Sequence, residues 1–126
     1  MNDLPVFELG YPRTELRREL VDAVLRGEKT ATAGLLEEYE AEGVQPEPVG
    51  SRCSLLGYDD EPVAVIEVTE SRVVPAAEID EQFAREEGEG FETVDAWREA
   101  HERFFGQPIE PGTPIVATRF RVVEKL

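Results

Sequence analysis

Two short segments of this chain combine chemically capable side chains with glycines. Residues 27–34 are bounded by glycine and carry Lys29, followed three residues later by Thr32. Residues 86–90 mix glutamate with glycine and include Glu87. Amines, hydroxyls and carboxylates are the groups that nucleophilic and acid–base chemistry uses. We therefore predict that the two segments face each other across one pocket.

The element that precedes residues 27–34 determines their predicted conformation. Within residues 14–26 the apolar side chains recur at helical spacing, which predicts an amphipathic helix. Gly27 follows directly, as glycine often does just past the end of a helix. Lys29 and Thr32 are therefore predicted to lie in a turn. A plain helix cap and connector, without chemistry, is the alternative interpretation of the same turn.

The remaining pattern predicts a small α+β domain. Helices are predicted at 35–42, at 76–87 and from the N-cap Thr93 to Phe105. Strands are predicted at 52–56, 62–69 and 113–125. Residues 1–11 are predicted to be extended, and Pro12 is predicted to open the first helix. This order predicts a curved, mostly antiparallel sheet, a small partial β-barrel with helices packed around it.

Length and charge limit the function further. A chain of 126 residues is long enough for one domain. Its net charge of −15 repels polyanions at long range. The charge is uneven, because residues 1–33 hold six acidic and five basic side chains, whereas residues 34–126 hold twenty-two and eight. We therefore expect an anionic ligand to meet the N-terminal third.

Several classes of site do not fit the sequence. Cys53 is the only cysteine and His101 the only histidine, so neither a disulfide nor a Cys/His zinc centre is expected. The lysine follows a helix rather than a strand, unlike a phosphate-binding P-loop, and no serine lies in a nucleophile elbow. Residues 86–92 lack EF-hand spacing, so no metal is predicted. No cofactor is predicted either.

The sequence also favours an intracellular setting. No apolar run approaches the length of a membrane span. Residues 1–5 lack the basic and apolar regions of a signal peptide. We expect a cytoplasmic protein without a membrane partner.

Two further polar residues occur in apolar surroundings. Glu67 interrupts a strand that is otherwise apolar on both faces, so its carboxylate must reach solvent or find a partner. His101 lies on the apolar face of the last predicted helix, together with Trp97. A lone histidine there is more often a satisfied core residue than a catalyst, and Trp97 is interpreted as a packing residue.

The combination of lysine, threonine and carboxylate resembles the ASCH-domain family, small barrels similar to the PUA domain. The resemblance covers about Leu25 to Val123 and implies one ASCH domain over residues 1–126. The matching segments are Gly27-x-Lys29-x-x-Thr32, Val65-Ile66-Glu67-Val68-Thr69, Phe83-Ala84 with Glu87-Gly88-Glu89-Gly90, Trp97-Arg98 with His101, and Phe104-Phe105. The chain departs from the family at Gly34, where many members carry arginine, and at Phe91, where many carry aspartate.

The resemblance implies a cleft suited to RNA or a nucleoside. Some members resemble amidohydrolases that remove the acetyl group from N4-acetylcytidine. Their catalytic residues correspond here to Lys29, Thr32 and Glu87. The substrate-binding residues that we expect are Gly27, Thr30, Glu67, Arg98 and His101.

The sequence does not decide which step each of Lys29, Thr32 and Glu87 would perform. Burial would lower the pKa of Lys29, whereas a nearby carboxylate would raise it. If Glu87 lies beside Lys29, we expect the effect of the carboxylate to prevail and the lysine to be charged. It would then stabilise an oxyanion, leaving proton transfer to Glu87 or Glu67. The acidic chain favours a free nucleoside over RNA, whose binding depends on phosphate neutralisation. A non-catalytic RNA-binding module, a ribonuclease and a merely structural Lys29–Glu87 ion pair are the alternatives.

Overall fold

The computed structural model describes residues 4–9 and 14–126. Within them, five strands form one sheet with the order β1-β3-β4-β5-β2. The strands are β1 (Val6–Phe7), β2 (Ala31–Leu35), β3 (Arg52–Leu56), β4 (Pro62–Pro75) and β5 (Pro114–Lys125), and the helices are α1 (Glu15–Leu25), α2 (Leu36–Glu42), α3 (Glu81–Glu86) and α4 (Val94–Phe105). A short 3₁₀ turn spans Ala76–Glu78.

The sheet is mostly antiparallel but open. The short β1 pairs in parallel with β3, and the pairs β3–β4, β4–β5 and β2–β5 are antiparallel. Strands β1 and β2 remain the two edges, so the α+β class is confirmed and a closed barrel is not. The central position of β4 agrees with its apolar character on both faces.

The hydrophobic core lies in two clusters. One cluster, which we call the α4-side core, includes Ala31, Phe83, Trp97 and Ala117 and lies beneath α3 and α4. The other, the α1-side core, includes Val24, Ile66 and Phe120 and lies beneath α1. Side chains alternate along a strand, so β5 supplies residues to both.

Several predicted elements are confirmed almost to the residue, and others need correction. The predicted helices at 14–26, 35–42 and 93–105 and the strand at 52–56 are all present. The predicted turn at 27–34 is wrong in its second half, because residues 31–35 form the edge strand β2. The strand that begins at 62 continues to Pro75. Residues 1–3 and 10–13, including the predicted helix opener Pro12, lie outside the described residues.

The predicted helix at 76–87 is divided. A 3₁₀ turn ends before Asp80, and α3 begins after it. The Asp80 carboxylate accepts a hydrogen bond of 2.8 Å from the Phe83 backbone amide. An N-cap residue of this kind has non-helical backbone angles, which explains why one continuous helix cannot pass through this position.

A close backbone approach joins the two segments singled out in the sequence. Gly88 has φ +70°, and a Cβ atom there would overlap the Glu28 carbonyl and lie 2.8 Å from the Lys29 Cα. The Thr30 amide donates a hydrogen bond of 2.8 Å to the Glu86 carbonyl. The turn after α1 and the end of α3 are therefore packed backbone to backbone, so the two segments meet in direct contact rather than across a pocket at this point.

We expect Gly88→Ala to destabilise the protein much more than Gly90→Ala. Gly90 also has positive φ (+88°), but a Cβ atom placed on it would have no atom within 4 Å. The Gly90 change should cost only the left-handed strain, about 1–2 kcal/mol. The Gly88 change adds an overlap with backbone that cannot rotate away, about 1–3 kcal/mol more. Urea unfolding of both variants measures the difference, and equal losses would contradict the close approach.

Candidate functional site

The Lys29 side chain lies at the centre of a buried charged cluster. Its backbone amide and that of Glu28 both donate to the Ala23 carbonyl, at 3.1 and 2.9 Å, which holds the turn against the end of α1. The lysine side chain is 1% exposed. Its Nζ donates to the Ala31 carbonyl at 2.8 Å, the Glu87 carbonyl at 3.2 Å and Glu89 Oε2 at 3.1 Å. Three acceptors match the three donors of an ammonium group.

Glu87 is equally buried and connects the lysine to α4. Its side chain is 1% exposed, and Oε1 lies 3.5 Å from Lys29 Nζ and 3.3 Å from His101 Nε2. The indole Nε1 of Trp97 donates to Oε2 at 2.5 Å. Burial, the largest single influence, raises the pKa of Glu87, but the His101 hydrogen bond and the Lys29 charge outweigh it and the pKa is lowered. Glu87 is therefore a carboxylate.

His101 uses both ring nitrogens within the protein. Its Nδ1 lies 2.8 Å from the Trp97 carbonyl, and its Nε2 faces Glu87. Burial, the largest influence, lowers the pKa of His101, yet the hydrogen bond and charge of Glu87 outweigh it and the pKa is raised. Two acceptors for two ring nitrogens fit an imidazolium. His101 is thus a buried residue whose two ring nitrogens both have partners, and these contacts fit the charged form.

Glu89 is the most exposed member of the cluster. Its side chain is 25% exposed, against 10% for His101. Burial and the charge of Glu87 raise the pKa of Glu89, and the opposing charge of Lys29 does not cancel them. Gly88 and Gly90, both at positive φ, flank this residue. The cluster as a whole holds two cations and two carboxylates, and the one carboxylate that reaches solvent sits on a glycine-flanked segment.

The other predicted site residues lie elsewhere. Glu67 on β4 pairs with Arg121 at 2.6 Å, and Arg98 on the outer side of α4 pairs with Asp95 at 3.2 Å. Gly27 and Thr30 line a neighbouring cleft of about 220 Å³, and Lys29 also lines it. The structure therefore brings Lys29, Glu87 and His101 together, and it does not bring Glu67 or Arg98 to them.

Thr32 lies on the opposite face of the sheet from the cluster. Its neighbours Ala31, Ala33 and Leu35 contact the α4-side core, and alternate residues of a strand point to opposite faces. In register, Thr32 faces Thr118 of β5. No described residue forms a hydrogen bond with the Thr32 hydroxyl. The set of Lys29, Thr32 and Glu87 is thus divided by the sheet.

Glu89 belongs to the cluster although the sequence motif did not indicate it. The signal was present, since Glu89 follows Glu87 by two residues with Gly88 between them. The left-handed Gly88 turns the chain so that both glutamates reach the same ammonium. Trp97, interpreted from the sequence as a packing residue, also supplies a hydrogen bond to Glu87.

Neither a metal-binding cluster nor a membrane-spanning helix occurs in the described part of the chain. Among residues 4–9 and 14–126, no group of three or more His, Cys, Asp or Glu side chains is arranged to hold a metal ion. Within the same residues, no helix is both long and apolar enough to cross a membrane.

The chain is similar in sequence and in fold to known proteins. The family model described as "ASCH domain" matches residues 9–124. A crystal structure of an Enterococcus faecalis V583 protein is similar at 30% identity with a TM-score of 0.85, covering 99% of this chain and 79% of that one. An ASCH domain from Lactobacillus crispatus JV V101 is similar at 27% identity with a TM-score of 0.81, covering 96% and 80%. No curated protein matches the chain significantly.

We expect the stability that His101 confers to depend on pH. Its folded-state pKa is raised, so the stabilisation is fully present below the unfolded value of about 6.5 and is lost as the pH rises through the folded value. Wild type should exceed His101→Gln by about 1–3 kcal/mol at low pH, and the gap should narrow towards alkaline pH.

Urea unfolding of both proteins across neutral pH measures this gap. Because His101 also lowers the pKa of Glu87, the gap reports the coupled titration of the imidazolium–carboxylate pair. A gap that stays constant with pH would show that the imidazolium–carboxylate contact does not contribute as the geometry indicates.

Proposed function

Because this chain belongs to the ASCH-domain family, we propose that it is a hydrolase that removes the acyl group from a modified nucleoside such as N4-acetylcytidine. The choice of substrate rests on the family resemblance. The choice of chemistry rests on one observation. The buried Lys29 ammonium donates hydrogen bonds to two backbone carbonyls and to Glu89, the most solvent-exposed side chain of the cluster.

Lys29 suits the role of oxyanion donor. Amide hydrolysis passes through a tetrahedral oxyanion, which fixed donors stabilise most effectively where water is excluded. The ammonium is 1% exposed, and Glu87 holds it in place while Trp97 and His101 hold Glu87. One of its three donors goes to the partly exposed Glu89. When that carboxylate turns away on its flanking glycines, the donor becomes free for the substrate oxygen.

Glu89 suits the role of general base. Its raised pKa brings a carboxylate closer to the neutral range, where proton transfer is most efficient. A water molecule gives its proton to Glu89 and attacks the acyl carbon. The oxyanion forms against Lys29. The C–N bond then breaks as the proton passes from Glu89 to the leaving N4 nitrogen, giving cytidine and acetic acid, which ionises to acetate in solution.

Thr32 is the alternative nucleophile that the family resemblance implies. Its position on the opposite face of β2 from the charged cluster favours water instead. A threonine nucleophile would need a base within hydrogen-bond reach, and no described residue forms a hydrogen bond with this hydroxyl.

We expect incubation with N4-acetylcytidine to release cytidine and acetate in amounts that chromatography can quantify. Glu89→Gln should lower kcat by about 10²–10⁴-fold, the usual contribution of a general base. Lys29→Met, which keeps the side-chain length, should lower it by about 10²–10³-fold. Glu92→Gln is the matched control, since Glu92 is exposed in the same acidic run, and it should retain wild-type kcat. Unchanged turnover in Lys29→Met would remove the catalytic assignment.

Thr32→Val, which replaces the hydroxyl with a methyl group of similar size, separates the two nucleophiles. Attack by water predicts kcat within about threefold of wild type, because the loss of a bystander hydroxyl seldom exceeds about 0.5 kcal/mol. Steady-state rates and a search for an acyl-enzyme by mass spectrometry provide the measurement. Loss of turnover together with an acylated Thr32 in wild type would assign the nucleophile to threonine.

An RNA-binding module is the second candidate, and one observation favours it. The cleft beside the turn is lined by Arg26, Arg121 and Lys125 over an apolar floor that includes Phe120. Arg26 and Arg121 are each paired with a carboxylate, which reduces the field that they offer to phosphates. Tight binding of short RNA that weakens steeply with salt, without nucleoside turnover, would favour this candidate over the hydrolase.

A further inference from the structure

The cleft beside the turn after α1 exists because β5 is longer than its edge neighbour β2. The ladder between the two strands ends where Ala31 faces Arg119, whereas β5 continues to Lys125. The Phe120 amide still donates to the Thr30 carbonyl at 3.1 Å. Beyond it, no strand among the described residues pairs with this edge of β5. The end of α1 and this part of β5 therefore border an open cleft of about 220 Å³.

The floor of the cleft is apolar. Val24 and Phe120 line it and are almost fully buried. Leu25 and Val122 also line it, and both are partly buried against the same α1-side core. The Phe120 ring packs edge-on against Phe7, with ring centroids 5.3 Å apart, so it offers little open face on which a base could stack. The floor therefore suits a flexible aliphatic chain better than a flat ring.

The rim of the cleft carries an excess of positive charge. Arg26, Arg121 and Lys125 line it. Among the described residues no Asp or Glu does, although the chain holds 28 acidic side chains against 13 basic ones. Arg26 pairs with Glu28 at 2.9 Å and Arg121 with Glu67 at 2.6 Å. No carboxylate in residues 4–9 or 14–126 lies within ion-pair distance of Lys125. Three cations against two carboxylates leave one positive charge.

Both arginines keep donors that a ligand can use. Each ion pair engages only Nη2 of the guanidinium, which has five N–H donors in all. Both arginine side chains are more than half exposed, so water screens these pairs and they are weak. The C-terminal end of α1 is also largely satisfied, because the carbonyls of Asp22, Ala23 and Val24 accept amides of residues 26–29. Its partial negative charge is therefore a small obstacle to an anion.

We propose that this cleft binds a small monoanion with an aliphatic tail, a carboxylate whose head lies at the rim and whose tail lies on the floor. The volume of 220 Å³ holds roughly seven water-sized groups of about 30 Å³ each, which corresponds to a chain of about six carbons. A single negative charge matches the single unpaired positive charge of the rim. A polyanion would instead meet the repulsion of a chain with net charge −15. The inference concerns a different cavity from the Lys29 cluster and does not rest on the proposed hydrolase.

A series of ligands of different chain length tests the tail and the charge together. Titration of ¹⁵N-labelled protein with butyrate, hexanoate and octanoate should shift the Gly27 and Thr30 amide resonances saturably. The amide of Gly106, at the C-cap of α4, should not shift. Each added methylene should tighten binding by up to about fourfold until the tail fills the cleft, so octanoate should gain less over hexanoate than hexanoate gains over butyrate. Hexanol, which lacks the charge, should bind about fivefold more weakly than hexanoate.

Matched variants separate the cleft from the rest of β5. Val122→Phe should fill the cleft and remove hexanoate binding. Val123→Phe is its control, since Val123 is equally half-buried but points to the other face of the strand and does not line the cleft. Arg121→Gln combined with Lys125→Gln should weaken hexanoate binding about tenfold, and Arg103→Gln, an exposed arginine on α4, should leave it unchanged. A dispersed amide spectrum confirms that each variant is folded.

Four results would overturn the carboxylate cleft. They are the absence of saturable shifts at Gly27 and Thr30, equal affinity for hexanol and hexanoate, retained hexanoate binding in folded Val122→Phe, and saturable shifts of the same amides by short RNA but not by hexanoate. The last result would favour the RNA-binding module. Hexanoate binding without hydrolysis of N4-acetylcytidine would sustain the cleft and remove the hydrolase, and hydrolysis without hexanoate binding would do the reverse.

Discussion

The burial of one ammonium group governs the local architecture. Removing a charge from water costs several kcal/mol unless partners replace the solvent, and Lys29 is only 1% exposed. Its partners are drawn from two distant segments, the backbone of β2 and the loop after α3. Neither segment could satisfy the ammonium alone. The turn after α1 must therefore close on the end of α3, and Gly88 is the residue that permits the approach.

A second layer of contacts fixes that junction to the sheet. Arg119 on β5 donates to Glu86 and Glu70, each at 2.6 Å, so α3 is joined to both β4 and β5. The Arg119 guanidinium also lies 5.2 Å from the centre of the Phe83 ring. Glu87 on one side of Gly88 is buried and contacts Trp97 and His101, whereas Glu89 on the other side is partly exposed between two left-handed glycines. Both contact Lys29, and the proposed hydrolase would use Glu87 to hold the ammonium and Glu89 to meet the substrate.

Most of the helices could be predicted from the sequence, because their apolar spacing and caps are local signals. Thr93 caps α4 as expected, and the end of α1 falls before Gly27. Strand β2 could not be predicted in the same way, since Ala31 to Leu35 are mostly small residues of weak strand propensity. They form a strand because the edge of β5 offers hydrogen bonds. Gly34 also leaves room for the Tyr39 ring, since a Cβ atom at residue 34 would lie only 3.2 Å from a carbon of that ring. The open sheet likewise depends on long-range pairing that no local pattern records.

The correction from turn to strand changes what the spacing of Lys29 and Thr32 means. Residues three apart in a tight turn lie near each other, so the predicted turn would have placed Lys29 and Thr32 close together. In an extended strand, an odd separation places side chains on opposite faces, and Thr32 turns away with Thr118. The glutamates show the reverse effect. Glu87 and Glu89 end a helix and enter a loop, and the left-handed Gly88 between them turns both towards the same ammonium. The proposed chemistry therefore relies on two acids and an amine held by a backbone bend, whereas the Thr32 hydroxyl of the sequence motif lies on the other face of the sheet.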